Sequence, residues 1–421
     1  MEEIPMNAKH RDAFVASLRN YAKSSCKLYY QAAIAVVSSF PYCRSFQRLL
    51  LALYRAITRP RSVLEPFQTI YKAMPLQVDR LSVDSIRRIA NRLPLEQLGR
   101  RIVHYTPLPE LGDTVVIDIE DTDAIQIYRH YSRGFPVYDD NITPLFLLLS
   151  PEHILTLLQC ALLEGRILLF SVQPELVVNV THTLRRLLFP WKYAGSFIPL
   201  LPSSMLFAVQ VPGSFMIGVE TKWLRSCQIP RDVLLVDLDT DRLIVDSSHS
   251  FPPLLPDHMV HSLMSTVQEL RNSLIQRLKS GLDSWKLLWN TPDPDHCVPK
   301  LSCKESLQLF TSVLDLYSNL VNGYERWIIA RDNYKGCTLQ QMFRVNDYLD
   351  TCGKQVLPFM RSFVFTQMFS NFISSKTEIH SFSSSFEFPI IFFDNYLTLI
   401  QRPFKDRFNH LRRVLYKRSN R

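Results

Sequence analysis

Apolar and polar positions alternate with two different periods along this chain, and the change of period marks its layers. The clearest helical stretch is PEHILTLLQCALLE, where Ile154, Leu157, Leu158, Ala161 and Leu162 recur on one face. Ser150-Pro151-Glu152 reads as its start, with serine capping, proline at the first helical position and an acid at the positive end of the dipole. Gly165 reads as its stop. RILLFS follows, apolar on both faces like a strand buried in a parallel sheet, and Pro174-Glu175 opens a second helix running to about Phe189. Helix, buried strand and helix make half of a doubly wound α/β layer.

The next stretch carries no charge from Tyr193 to Val219, long enough on paper to cross a bilayer. Prolines at 199, 202 and 212 and glycines at 195, 213 and 218 break it into strand-length pieces: IPLLP, MLFAVQV and SFMIGV. A membrane helix does not tolerate breaks at that spacing without neighbours to repair them, so the segment predicts the interior of a sheet domain. DVLLVDLD, Asp232 to Asp239, predicts a further strand beside Ile167–Phe170.

Beyond Pro256 the period turns helical, with Val260, Leu263, Val267, Leu270, Leu274 and Leu278 on one face. Leu309 to Ile329 and FMRSFVFTQMFSNFI after Pro358 predict further helices. Asn290 to Cys303 and SFSSSF near Ser381 read as loops. Upstream, KLYYQAAIAVVSS is β-rich, and Phe46, Leu49, Leu50, Leu53 and Ile57 follow at helical spacing. Residues 58–110 read as a basic connector, Asp113 to Ile119 as a strand and Glu120 to Asp140 as acidic and irregular. No internal repeat is evident.

The 421 residues allow two or three domains, and 47% hydrophobic with 21% charged residues is ordinary for a globular chain. Only 11 glycines against 26 prolines argues against glycine-rich nucleotide loops. The net charge of +9 points to acidic surroundings. Eight scattered cysteines with no C-x-x-C pair indicate neither a zinc module nor a redox motif. Cys160, inside LLQCALLE, reads as a buried reduced thiol. A polar N-terminus without an apolar core is no signal peptide, so the expected place is the cytoplasm and the glycosylation triplets at Asn141 and Asn179 carry no weight.

Candidate chemistry is sparse. The chain holds no G-x-x-x-x-G-K-[ST], G-x-G-x-x-G, G-x-S-x-G or H-E-x-x-H, so no catalytic residue, metal site or cofactor is expected. Asp237 and Asp239 fall on one face of a strand end if alternation holds, as paired carboxylates would, but the turn-forming reading is preferred. Glu164 and Arg166 flank Gly165 and read as a local ion pair, and Trp191 after Pro190 reads as core packing. KDRFNHLRRVLYKRSNR carries seven Lys or Arg and one acid, with Phe408, Leu411, Val414 and Leu415 spaced as an amphipathic helix. A solvated terminal helix is the preferred reading, with attraction to an anionic membrane as the functional one. Nucleic acid is not an expected partner, because no stacking platform interleaves the charges.

The order LLLSPEHILTLLQCALLEGRILLFS, LRRLLFPWKY, IPLLP, GSFMIGV, VLLVDLD resembles the central DENN domain, and five pieces in order over one segment make the likeness specific. Gly213-Ser214 departs from it, where the family often has a second proline. AIAVVSSFPYCRSFQRLLLALYRAI resembles the end of the upstream, longin-like region, and Thr366-Gln367-Met368-Phe369 the downstream signature. The resemblance implies residues 1–75 as an upstream lobe, 76–111 as a linker, 112–256 as the central domain, 257–400 as a downstream helical region and 401–421 as a basic tail. The fold class implied is α/β, with a mainly parallel central sheet flanked by helices and a mostly helical C-terminal region. The longin-like lobe is read as incomplete, since only a short segment precedes the first matched piece.

Family resemblance further implies a guanine-nucleotide exchange factor for a Rab-family GTPase in membrane trafficking, cytoplasmic and peripheral on endomembranes. Such a factor makes no bonds; it binds the nucleotide-free GTPase better than the loaded one. Glu164, Arg166, Pro190, Trp191, Pro199, Pro202, Gly218, Thr366, Gln367 and Phe369 match the family pattern as scaffold residues. The partner-facing surface is expected around Ser39 and Phe40 together with the strand ends at Asp237 and Asp239. Alternatives are a non-catalytic DENN-like scaffold subunit and a GTPase-activating subunit, which would need an exposed arginine finger that no single arginine here declares.

Overall fold

The computed structural model describes residues 142–278 (apart from 247 and 249–251), 299–329, 337–378, 388–399 and 402–415, with strands at 114–117 and 125–128 and a few isolated positions nearer the N-terminus. Ser39, Phe40 and nearly all of the expected upstream lobe and linker lie outside the described residues.

The central layer is a five-stranded sheet in the order β4-β5-β3-β6-β7. Its strands are β3 (Arg166–Ser171), β4 (Ser196–Ile198), β5 (Phe215–Glu220), β6 (Val233–Asp237) and β7 (Arg242–Ile244). β3 runs parallel to both β5 and β6, β4 is parallel to β5, and only β7 is antiparallel. The expected neighbours Ile167–Phe170 and Leu234–Val236 are adjacent, with Leu168 opposite Leu235. A separate antiparallel pair joins β1 (Thr114–Ile117) to β2 (Ile125–Tyr128). β2 lies inside the stretch expected to be irregular.

Alternation along the strands gives the sheet two unlike faces. Ile167, Leu169, Met216, Leu234 and Val236 point into a thick helical layer. It is built from α1 (Thr143–Leu148), α2 (Pro151–Leu162), α3 (Pro174–Leu187) and, after the short α4 (Thr221–Leu224) on the opposite face, α5 (Asp257–Arg277). Leu168, Phe215, Ile217, Val219 and Val233 point the other way, under a thin cover made of a 3-10 segment, Ser203–Gln210, and α4.

That 3-10 segment corrects the expectation of a strand at MLFAVQV. The free edge of β5 is already taken by β4, so the chain crosses the sheet face instead, seating Leu206, Ala208 and Val209 on it. The expectation that the uncharged stretch is all interior is corrected with it: Met205, Phe207 and Val211 are exposed.

The C-terminal region is helical: α6 (Cys303–Leu320), α7 (Leu339–Met342), α8 (Val345–Asp350), α9 (Leu357–Phe363), α10 (Gln367–Glu378), α11 (Phe388–Leu397) and α12 (Phe404–Leu415). The helix expected over Leu309–Ile329 stops at Leu320, because Gly323 takes a left-handed φ of 74° and starts a 3-10 turn, Tyr324–Trp327. The single helix expected after Pro358 is two. Thr366 Oγ1 donates to the Phe363 carbonyl at 2.7 Å and accepts the Phe369 N–H at 3.2 Å, ending α9 and capping α10. One buried core runs without interruption from α1 to α12, so central sheet and C-terminal helices share their apolar interior. Among the described residues no helix is long and apolar enough to cross a membrane.

Candidate functional site

The motif residues form three long-range clamps. Glu164 sits at φ 53°, a left-handed position rarely given to a side-chain-bearing residue. It lies one residue before the glycine expected to end α2, in a Schellman turn where Gly165 N–H donates to the Cys160 carbonyl (2.9 Å) and Glu164 N–H to that of Ala161 (3.1 Å). The twist throws its carboxylate onto the N-terminus of α10, where it accepts the N–H groups of Gln367 (2.7 Å) and Met368 (2.8 Å). Glutamate thus satisfies donors that a helix start leaves open and faces the positive end of its dipole.

Arg166 forms the second clamp. It donates to both oxygens of Asp232 (2.8 and 3.0 Å) and to the carbonyls of Val209 (2.9 Å) and Val211 (3.1 Å). Its guanidinium lies 4.9 Å from the Phe215 ring centroid, so one side chain gathers the starts of β3, β5 and β6 and the end of the 3-10 segment. The expected local Glu164–Arg166 ion pair is therefore not what forms. Each has a distant partner, and the strand direction beyond Gly165 carries them apart.

Trp191 is the third. Its ring is 4.8 Å from Phe372, 5.2 Å from Phe363 and 6.0 Å from both Tyr317 and Phe393, so the residue after Pro190 is core, as expected, and packs the central lobe onto α6, α9, α10 and α11. Tyr317 adds a hydrogen bond to the Leu187 carbonyl at 2.7 Å. Between β4 and β5, Leu201 N–H donates to the Gly218 carbonyl at 2.7 Å, and a Cβ on Gly218 would stand 2.1 Å from the Pro199 carbonyl oxygen. That contact explains why the IPLLP turn, Pro199 to Pro202, is paired with a glycine in the facing strand.

At the C-terminal ends of the strands, three aspartates hold one turn. Asp237 closes β6, its carboxylate accepting the N–H groups of Asp239 (2.9 Å) and Thr240 (3.2 Å) and the Thr240 hydroxyl (2.7 Å). Strand alternation ends there, so it does not govern Asp239. Asp239 reaches across to β3, accepting the Ser171 hydroxyl at 2.7 Å and the Val172 N–H at 2.9 Å. Asp241 accepts the Ser150 N–H at 3.0 Å and lies 2.7 Å from His153 Nδ1. It serves the start of α2, where the Ser150 side chain makes no capping bond, which corrects the serine-cap expectation. Neither Asp241 nor Asp232 was legible as a partner, since they act across 91 and 66 residues. Beside this turn Val172 is 66% exposed.

Two titratable groups, the buried Cys160 and the half-buried His182, show the tightness of the packing. Burial pushes the Cys160 thiol up to about 12. Burial and then the nearby Arg185 and Arg186 charges bring His182 down to about 4, and its ring meets Phe197 edge-on at 5.2 Å. Among the described residues no cluster of three metal-ligating side chains occurs.

Two curated relatives are 36% identical to this chain, each named Elicitor of plant defense protein 1: one from Gibberella zeae over 129 residues, 30% of this chain, and one from Fusarium odoratissimum over 138 residues, 32% of it. The matched segments make up only 11% and 14% of those proteins. The profile of the DENN (AEX-3) domain matches residues 29–241, about half of the chain, and includes Glu164, Arg166, Trp191, Gly218 and the aspartate turn. This chain therefore belongs to the DENN (AEX-3) domain family.

Proposed function

We propose that the protein is a guanine-nucleotide exchange factor for a Rab-family small GTPase. DENN domains are associated with that activity, and the observation that carries the reading is the family match over residues 29–241. The clamped motif residues support it, because an exchange factor needs a rigid surface more than a reactive group. It works by binding the stripped GTPase more tightly than the loaded one, so affinity alone drives release. The surface proposed for the GTPase includes the rim around Asp237 and Asp239. Both carboxylates are engaged in shaping that rim, which also exposes Val172. The aspartates would therefore act mainly by setting its backbone.

Peripheral attachment to anionic endomembranes is part of the proposal. In α12, Leu411 is fully buried and Arg407 donates to Asp315 at 2.7 Å, so its inner side is docked, while Lys405 and Arg412 are exposed. The basic tail would contribute charge. The test of the exchange reading is release of a fluorescent guanine nucleotide from a panel of purified Rab proteins. Acceleration of one or a few of them is expected; no acceleration of any would remove the reading.

A further inference from the structure

The thinly covered face of the sheet carries an apolar protrusion with exposed arginines around it. Phe207 is 62% exposed, Val211 50% and Met205 42%, although their neighbours Leu206, Ala208 and Val209 are seated on the sheet. The next layer on the same face is the segment after α4. Gln210 Nε2 donates to Gln228 Oε1 at 3.2 Å, which places the loop 225–231 directly beside the 3-10 segment. That loop exposes Arg225 and Arg231. Across the sheet, Ile244 stands opposite Leu235 on the same face and is 43% exposed, with Arg242 exposed two residues earlier.

The charges are unbalanced in one direction. Asp232 is bound by Arg166, Glu220 by Lys222 at 2.7 Å, and the Asp237 carboxylate is turned into its own backbone turn. Arg225, Arg231 and Arg242 make no ion pair with any described residue. Apolar side chains standing out of an uncharged segment, rimmed by unopposed guanidinium groups, match an interface whose interior is apolar and whose surface is anionic.

We infer that this face is a membrane-docking surface, seating Met205, Phe207 and Val211 among the lipid headgroups of an anionic bilayer while Arg225 and Arg231 contact phosphate and carboxylate groups. The occupant is a lipid surface. A protein would have to bring its own acids to the rim and its own apolar pocket to Phe207. The inference does not depend on the GTPase reading, and it is separate from the basic tail, where Leu411 is buried in the core.

The test is co-sedimentation of the full chain with phosphatidylcholine vesicles, with and without phosphatidylserine. Four forms are compared: the parent, M205S with F207S, R225E with R231E, and K405E with R412E as the tail control. Melting curves are run on each. The parent should bind only vesicles containing phosphatidylserine, and either pair of face substitutions should weaken binding by at least about tenfold. The tail pair should weaken binding as well, because its charges add to the attraction, but by less than either face pair. If M205S with F207S folds poorly, Phe207→Trp decides: its emission should shift to the blue on phosphatidylserine vesicles. Four results would overturn the inference: no binding by the parent, undiminished binding by folded face variants, loss in the tail control alone, or an unshifted Phe207→Trp. The second of these, if it came with loss of a GTPase complex, would make the face a protein dock.

Discussion

The Glu164 carboxylate and the Met368 backbone N–H are 2.8 Å apart in space and 204 residues apart in sequence. The bond ties the helix-to-strand turn of the central lobe to the first turn of a C-terminal helix, and it is reached only because Glu164 accepts a left-handed backbone. Two variants separate the clamp from the strain. Glu164→Ala keeps the strain and loses the charge-assisted bonds, and should cost about 2 kcal/mol in urea unfolding. Glu164→Gly loses the same bonds but relaxes the backbone, so it should cost about 1 kcal/mol less. Equal stability of parent and alanine variant would show that the clamp contributes nothing.

The two faces of the sheet should answer differently to polar substitution. Leu168, fully buried at the centre of β3, becomes an unpaired buried carboxylate in Leu168→Asp, and the central lobe should fail to fold. Phe207→Ser, on the exposed cover, should leave the melting temperature within a few degrees of the parent. A Leu168→Asp protein that melts like the parent would mean that β3 does not lie where it is placed.

Gly218 is required by space. Its missing Cβ leaves room for the Pro199 carbonyl oxygen and for Val177, which would stand 2.1 and 2.4 Å from it. Gly218→Ala should destabilise by about 2 kcal/mol or more, since the obstruction includes backbone that cannot rotate away. Gly213→Ser offers the contrast. A Cβ there meets nothing within 4 Å, and only its φ of 108° resists substitution.

His182 makes stability depend on acid. Its folded value, about 4, lies below the unfolded value, so its contribution is present in full above about pH 6.5 and is lost as pH falls toward 4. His182→Gln removes that titration. Parent and variant should converge by on the order of 2 kcal/mol between pH 7 and pH 4 in denaturant unfolding. A difference that stays constant across that range would contradict the burial of the neutral ring.

The layered fold was largely legible, because α2, β3 and β6 are local patterns: a stripe at helical spacing, and short runs apolar on both faces. What failed was whatever depended on distant occupancy. MLFAVQV has the composition of a strand, yet the sheet edge it would need is filled by β4, and no local pattern reports that. Glu164 and Arg166 looked like each other's partners because they are neighbours in sequence, while their real partners lie 203 and 66 residues away. Trp191 was readable as core because an apolar context is local information. Asp237 was readable as a turn former for the same reason, whereas the bonds of Asp239 to Val172 and of Asp241 to Ser150 span 67 and 91 residues and were not.

The measurement that bears most directly on the exchange reading is complex formation between the full chain and a Rab protein carrying no nucleotide. Reciprocity requires that a protein which loosens nucleotide is itself loosened by nucleotide. The stripped GTPase should therefore be retained most tightly, and an excess of GDP or of GTP should each dissolve the complex. Preferential retention of the GTP-loaded form, or retention indifferent to nucleotide, would contradict the exchange mechanism and leave an effector or a scaffold in its place.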